Sequence, residues 1–376
     1  MTQMEYPRQI TVIQATIVIF SSVIGVGVLA LPHIVVTMGD TGSPFVTFLG
    51  MCIAFIGLAF LTLLGMRFPN DSIVHYSEKL IGKWLASIGS ITIISFYAIL
   101  TALTSREFGE VVITAVLRET PLEVTVIVML LIASLASRNG ITVFTYIHHF
   151  YFPFILFPAL LIVVLSLKNA NILYLQPIFG NTQENMLQGT LTVAALFQGY
   201  FIFTLVIPHM RRPERAMIAS IFGTLLSGGL YILIVIASLS VFGPEELKVL
   251  LWPTLELAKM TSLPGQILER LDAAFLAIWV TAVFTTLLST YTLTIHLLSK
   301  LFRLRDHKML SFFLLPLVFV LAMLPKNILH MYEVIEIVGR LGLLITVVYP
   351  LLLFVIALVR KKRGDVNVKK NKEQTS

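Results

Sequence analysis

Ten stretches of this 376-residue chain contain no Asp, Glu, Lys or Arg: residues 9–39, 41–66, 84–105, 124–137, 139–167, 185–210, 216–244, 273–299, 309–325 and 341–359. A bilayer core takes about 20 apolar residues of helix to cross, and most of these stretches reach that length. Lipid offers peptide groups no partner, so a spanning segment must satisfy its own backbone. The pattern therefore implies an all-α polytopic membrane protein with ten transmembrane helices. The stretches at 124–137 and 309–325 are short, and their helices are expected to run past the flanking charges. A further charge-free stretch, 169–183, is rich in Asn, Gln, Pro and Gly and reads as loop. Composition agrees: 57% of residues are hydrophobic and 12% charged, against about 45–50% and about 25% in soluble domains. A soluble enzyme, a disordered chain and a nucleic-acid-binding domain are thereby excluded.

The net charge of +7 concerns orientation. With the N-terminus inside and ten spans, 19 Lys and Arg residues fall on the inner side and six on the outer. That asymmetry puts both termini in the cytoplasm. Residues 1–9 then form a cytoplasmic N-terminal segment, 10–359 one ten-helix transmembrane domain, and 360–376 a basic cytoplasmic tail lying on anionic lipid headgroups. The first apolar run is too long for a signal-peptide core and no small-residue cleavage site follows it, so a retained span is expected. The single cysteine, Cys52, cannot form an internal disulfide and reads as a small apolar filler.

Ten spans divide into five and five, about 10–168 and 186–359. Because five is odd, the second half is inverted relative to the first, the layout of an inverted-topology repeat. Two spans at corresponding positions carry residues that interrupt helices. The first contains Ser21-Ser22-Val23-Ile24-Gly25-Val26-Gly27, and the sixth Phe197-Gln198-Gly199-Tyr200. Glycine there releases backbone groups and admits a ligand; close packing of helices is the other use of membrane glycines. Two such interruptions in corresponding spans point to a binding site at the bilayer midplane.

Polar side chains within spans supply further candidates. Tyr97, Thr101 and Thr104 are spaced by four and seven and share a helix face. Thr285, Thr286, Ser289, Thr290 and Tyr291 form the densest hydroxyl cluster of any span. Hydroxyls beside an unwound first span can ligate an ion with its carbonyls, or bind substrate. The substrate-binding candidates are Gly25, Gly27, Tyr97, Thr101, Gln198, Gly199, Tyr200, Thr286 and Ser289. Arg106, Glu107 and Glu110 read as interfacial, with Arg106 and Glu110 paired across one turn. Of His148 and His149, at most one faces the bundle interior, as a satisfied polar group or a proton-coupling residue. Between spans 2 and 3, Asp71 to Gly82 reads as an amphipathic surface helix; Pro244 to Pro264 reads as outer-surface helices over a vestibule. No nucleotide-binding, zinc or CxxC motif occurs, and no catalytic residue, metal site or cofactor is expected. The residues alone imply a carrier or sensor for a small polar solute.

Gly25-Val26-Gly27-Val28-Leu29-Ala30-Leu31-Pro32 resembles the first-helix signature of the amino acid–polyamine–organocation superfamily. Gln9-Ile10-Thr11 ahead of it, Arg67-Phe68-Pro69, Tyr76 with Gly82-Lys83, and Thr120-Pro121-Leu122 narrow the resemblance to the B subunit of bacterial spore germinant receptors, over about residues 5 to 360. Where members often carry an acidic and a basic residue after a glycine at the start of span 5, this chain has Gly140 followed by Ile141-Thr142-Val143-Phe144-Thr145. The resemblance implies a leucine-transporter-like fold with helices 1 and 6 broken, and residence in the inner membrane of the spore. It also implies partners, a membrane-spanning A subunit and a lipoprotein C subunit, and a small-molecule germinant, commonly an amino acid. A proton- or sodium-coupled amino acid permease is the alternative.

Overall fold

The computed structural model describes residues 9–180, 185–260, 271–304 and 306–364. Most of the basic tail and the end of the Pro244–Pro264 segment lie outside them. Every regular element among the described residues is helical, in the order α1 (Val12–Val23), α2 (Gly27–Gly39), α3 (Ser43–Arg67), α4 (Ile73–Ile81), α5 (Lys83–Ala115), α6 (Leu122–Ser137), α7 (Ile141–Ser166) and α8 (Met186–Leu196), followed by α9 (Phe203–Val206), α10 (Ala216–Leu247), α11 (Pro253–Met260), α12 (Leu271–Leu301), α13 (Lys308–Met323), α14 (Ile328–Leu343) and α15 (Tyr349–Val359). Six helical segments are long and apolar enough to cross a membrane, and a seventh if α8 and the bent segment after it are one. The chain is a multi-pass membrane protein. Large apolar side chains such as Phe157 and Phe313 stand 67% and 78% exposed. Surfaces of that kind are stable only where lipid is the solvent.

Each charge-free stretch finds its helix, with two departures. α6 starts two residues before its stretch and takes in Glu123, as expected, but α13 stops at Met323. The last span runs the other way: its helix begins at Ile328 and carries Glu333, Glu336 and Arg340. Arg340 donates to Glu336 one turn earlier and to Thr192 Oγ1 at 3.0 Å. Pairing removes the cost of carrying those charges inward.

α4 is the short surface helix read from Asp71 to Gly82. Its apolar face (Ile73, Val74, Tyr76, Leu80) is buried, and Gly82, at φ 85°, turns the chain into α5. α11 covers the opposite face of the bundle, donating from Thr254 to the Val28 carbonyl at 2.7 Å.

α1 packs against α7, α10 and α12 in the centre of the bundle. Its start is closed by a reciprocal cap: Gln14 N–H donates to Thr11 Oγ1 at 3.3 Å, and Thr11 N–H to Gln14 Oε1 at 2.9 Å. Just before it, Ile10 forms an isolated parallel bridge with Met210. The Gln9 and Ile10 amides both donate to the His209 carbonyl at 3.0 Å, and the Arg211 amide to the Ile10 carbonyl at 2.9 Å. This main-chain clip ties the start of the chain to the end of the bent segment.

Candidate functional site

α1 ends at Val23. Ile24 is extended (φ −75°, ψ 106°), and helical structure resumes at Gly27. The carbonyls released by this interruption are taken up by hydroxyls from neighbouring helices. Thr285 Oγ1 donates to Ser21 O at 2.9 Å, Thr286 Oγ1 to Ile24 O at 3.1 Å, and the Tyr231 hydroxyl to Val23 O at 2.9 Å. Buried peptide groups need partners, and hydroxyls from α12 and α10 provide them. By contrast, the first amides of α2 carry no side-chain cap.

The second interruption follows α8. Phe197 leaves the α-helix, residues Gln198–Ile202 form a 3₁₀ turn, and α9 follows; the pair bends by 40°. The two interruptions touch. A β-carbon on Gly199 would lie on the Ser22 carbonyl oxygen and 2.7 Å from its carbon, so only glycine lets the two backbones meet. Gln198 is held from both ends: its Nε2 donates to Gly339 O at 2.7 Å and its carbonyl accepts the Tyr97 hydroxyl at 2.9 Å.

A cavity of about 410 Å³ opens where the interruptions meet. Its walls come from α2, the second half of α5, α8 and the first half of α14. It therefore extends toward the face opposite the clip. Gly25, Gly27, Gln198, Gly199 and Thr286 line it. Tyr97, Thr101, Tyr200 and Ser289 do not, and each has a structural partner instead. The Tyr97 ring lies against Phe201, with centroids 5.5 Å apart, beneath the main chain of Gln198 that takes its hydroxyl. Thr101 bonds back to the Tyr97 carbonyl at 2.6 Å. The Tyr200 hydroxyl reaches Thr346 O at 3.0 Å. Ser289 meets Ser22 Oγ at 2.7 Å and His148 Nε2 at 2.9 Å, which leaves His148 buried and His149 exposed.

Because Tyr97 acts through Gln198 and has no contact with the cavity, Tyr97→Phe removes one neutral hydrogen bond. An expected cost is about 0.5–1.5 kcal/mol of stability. Thermal unfolding of the solubilised protein measures it, and an unchanged midpoint contradicts the assignment.

Four further residues contribute to the cavity. Thr104, Glu107, Tyr231 and Tyr332 line the wall. Glu107 is 4% exposed, and Tyr332 donates to its Oε1 at 3.1 Å; Tyr332 in turn accepts from the Trp252 indole at 2.8 Å. Arg106 and Glu110 pair as expected, at 2.8 Å, with both side chains buried against the bundle. The i, i+3, i+4, i+7 spacing of Leu100, Leu103, Thr104 and Glu107 was the available pointer.

The family profile of spore germination proteins matches residues 9–331. The chain belongs to that family. It is similar to spore germination protein YndE of Bacillus subtilis (strain 168), at 28% identity over 358 residues, covering 95% of this chain and 98% of that one. It is also similar to spore germination protein B2 of the same organism, 25% identical over 366 residues with 95% and 97% covered. Among solved structures, this germination-family chain resembles MHP1, a nucleobase-cation-symport-1 family transporter with bromovinylhydantoin bound. The TM-score is 0.72 at 14% identity, over 97% of this chain and 83% of that one. MhsT in complex with L-phenylalanine gives 0.66 at 14% identity, over 94% and 89%. The shared architecture is the leucine-transporter type.

Proposed function

We propose that this chain is the nutrient-binding subunit of a spore germinant receptor, with an amino acid as its solute. The observation that supports this most is the cavity at the meeting point of two interrupted helices, with the segment before α1 clipped to the end of the second one. The start of α2 has no side-chain cap; although the Val28 and Leu29 amides donate to the Gly25 and Val26 carbonyls, this is the positive end of a helix dipole and suits a carboxylate. Apolar walls from α2, α5 and α8 suit a small side chain.

In this reading the bundle has ten transmembrane helices in a five-plus-five inverted repeat. The first is split into α1 and α2, and the sixth into α8 and the segment through His209. Both termini are cytoplasmic, in keeping with the placement of basic residues, and the membrane is the spore's inner one. Occupancy is passed on to an A-type membrane subunit and a C-type lipoprotein, and no bond is made or broken in the solute.

Gly25→Leu tests it. A β-carbon at this position would come 2.8 Å from Thr286 Cβ, and the rest of the leucine side chain would project among residues lining the cavity. In spores that depend on this receptor, the variant is expected to accumulate and to lose the response to nutrient. A response at parental nutrient concentrations overturns the reading. Concentrative uptake of amino acids into proteoliposomes of the chain alone favours a coupled permease instead, consistent with the transporter fold.

A further inference from the structure

The cavity is lopsided in charge. Its lining includes Glu107, Glu333 and Glu336 and no lysine or arginine. Glu336 is paired with Arg340. Glu107 has no cation: Arg106, its neighbour on α5, is committed to Glu110, and the hydrogen bond to Glu107 comes from the neutral Tyr332 hydroxyl. An ionised carboxylate at 4% exposure is costly without an opposite charge.

Gln198 also borders the cavity, but its Nε2 donates to the Gly339 carbonyl and its Oε1 is buried away from the cavity space. A carboxyl group with no cationic partner on a cavity wall calls for a ligand that brings N–H donors and a positive charge.

We propose that Glu107 is the counter-ion of an ammonium group on the solute. The solute class is thereby a small primary amine, and within the amino acid reading a zwitterion whose ammonium is held on the α5 side. A hydroxyl in place of the ammonium leaves the buried charge uncompensated, so the cavity rejects the corresponding 2-hydroxy acid. This rests on reading the cavity as a solute site.

The test uses the purified full-length chain in lipid nanodiscs and equilibrium binding. The standard L-amino acids are offered one at a time, each beside its 2-hydroxy acid, with glucose and inosine as neutral solutes. The expected result is that at least one amino acid binds, its 2-hydroxy acid binds about tenfold more weakly or worse, and Glu107→Gln weakens the amino acid by a similar factor. The same substitution leaves any residual binding of the hydroxy acid within about twofold, and Glu123→Gln, at an exposed carboxylate off the cavity, leaves both ligands within about twofold. Equal binding of the hydroxy acid to the parent chain overturns the proposal, as does parental binding of the amino acid to Glu107→Gln. If Glu107→Gln does not fold, the parental comparison of amino and hydroxy acid decides alone. Binding of glucose or inosine only overturns the ammonium assignment and keeps the solute site; binding of nothing in either series removes the solute site and this inference with it.

Discussion

Gly199→Ala is expected to cost about 3 kcal/mol or more, at the upper end of what overpacking a core does, and to leave little folded protein in the membrane. The added methyl group would clash with a main-chain oxygen, that of Ser22, which cannot turn aside as a flexible side chain can. The two interruptions would have to separate, and with them the Gln198 bonds to Gly339 and Tyr97. Gly229→Ala on α10 is the matched comparison, because nothing lies within 4 Å of the position its methyl group would take. That substitution is expected to be neutral or to stabilise by about 0.5–1 kcal/mol, as alanine does in a helix interior. The measurement is the yield of monodisperse protein in detergent together with its thermal midpoint. Equal behaviour of the two variants shows that the helices do not meet at Gly199.

The second large effect concerns a charge pair inside the bundle. Arg106 and Glu110 approach to 2.8 Å, with side chains 8% and 14% exposed. Removing one partner of a buried pair strands the other, at a cost of about 3–5 kcal/mol. Arg106→Ala is expected to lose that much stability, read from unfolding in detergent. The double replacement Arg106→Met with Glu110→Leu is expected to recover most of it, because apolar groups of similar size dispense with both desolvation penalties. A loss below about 1 kcal/mol in the single variant means that water reaches the pair.

The helices could be read from the spacing of charges, because lipid leaves a spanning segment few alternatives. The interruptions could be read too, since Gly25-Val26-Gly27 and Gln198-Gly199 are the residues that free a backbone. What spacing does not convey is the neighbour a helix face meets. Tyr97, Thr101 and Thr104 share a face, yet Thr104 lines the cavity while the main chain of Gln198 covers Tyr97. Thr286 and Ser289 lie one turn apart on α12, and the crossing of α1 sends one to the cavity and the other to Ser22 and His148. Glu107 was legible as a charge within a span but was grouped with Arg106 and Glu110. Neighbours in sequence point about 100° apart on a helix, and here that turn divides a structural pair from a group on the cavity wall. The last span hid its first half because Glu333, Glu336 and Arg340 end the charge-free stretch, while pairing lets the helix run on.

The clip at the start of the chain is built from peptide groups: the amides of Gln9 and Ile10 on the His209 carbonyl, and that of Arg211 on Ile10. Every non-proline residue carries these groups, so for the main-chain bonds proline is the one substitution that removes a donor, while Ile10 is also packed in the core and the Arg211 side chain donates to the Gln9 carbonyl at 3.0 Å. Family members can thus keep this fastening while residues on the cavity wall differ. The fastening is also weak. Three such bonds hold by about 1.5–4.5 kcal/mol together, less than the roughly 5.5 kcal/mol of ligand preference that carries a two-state equilibrium from 1:99 to 99:1. In the proposed receptor, a fastening of that strength would be firm enough to hold a resting state and within reach of one small solute.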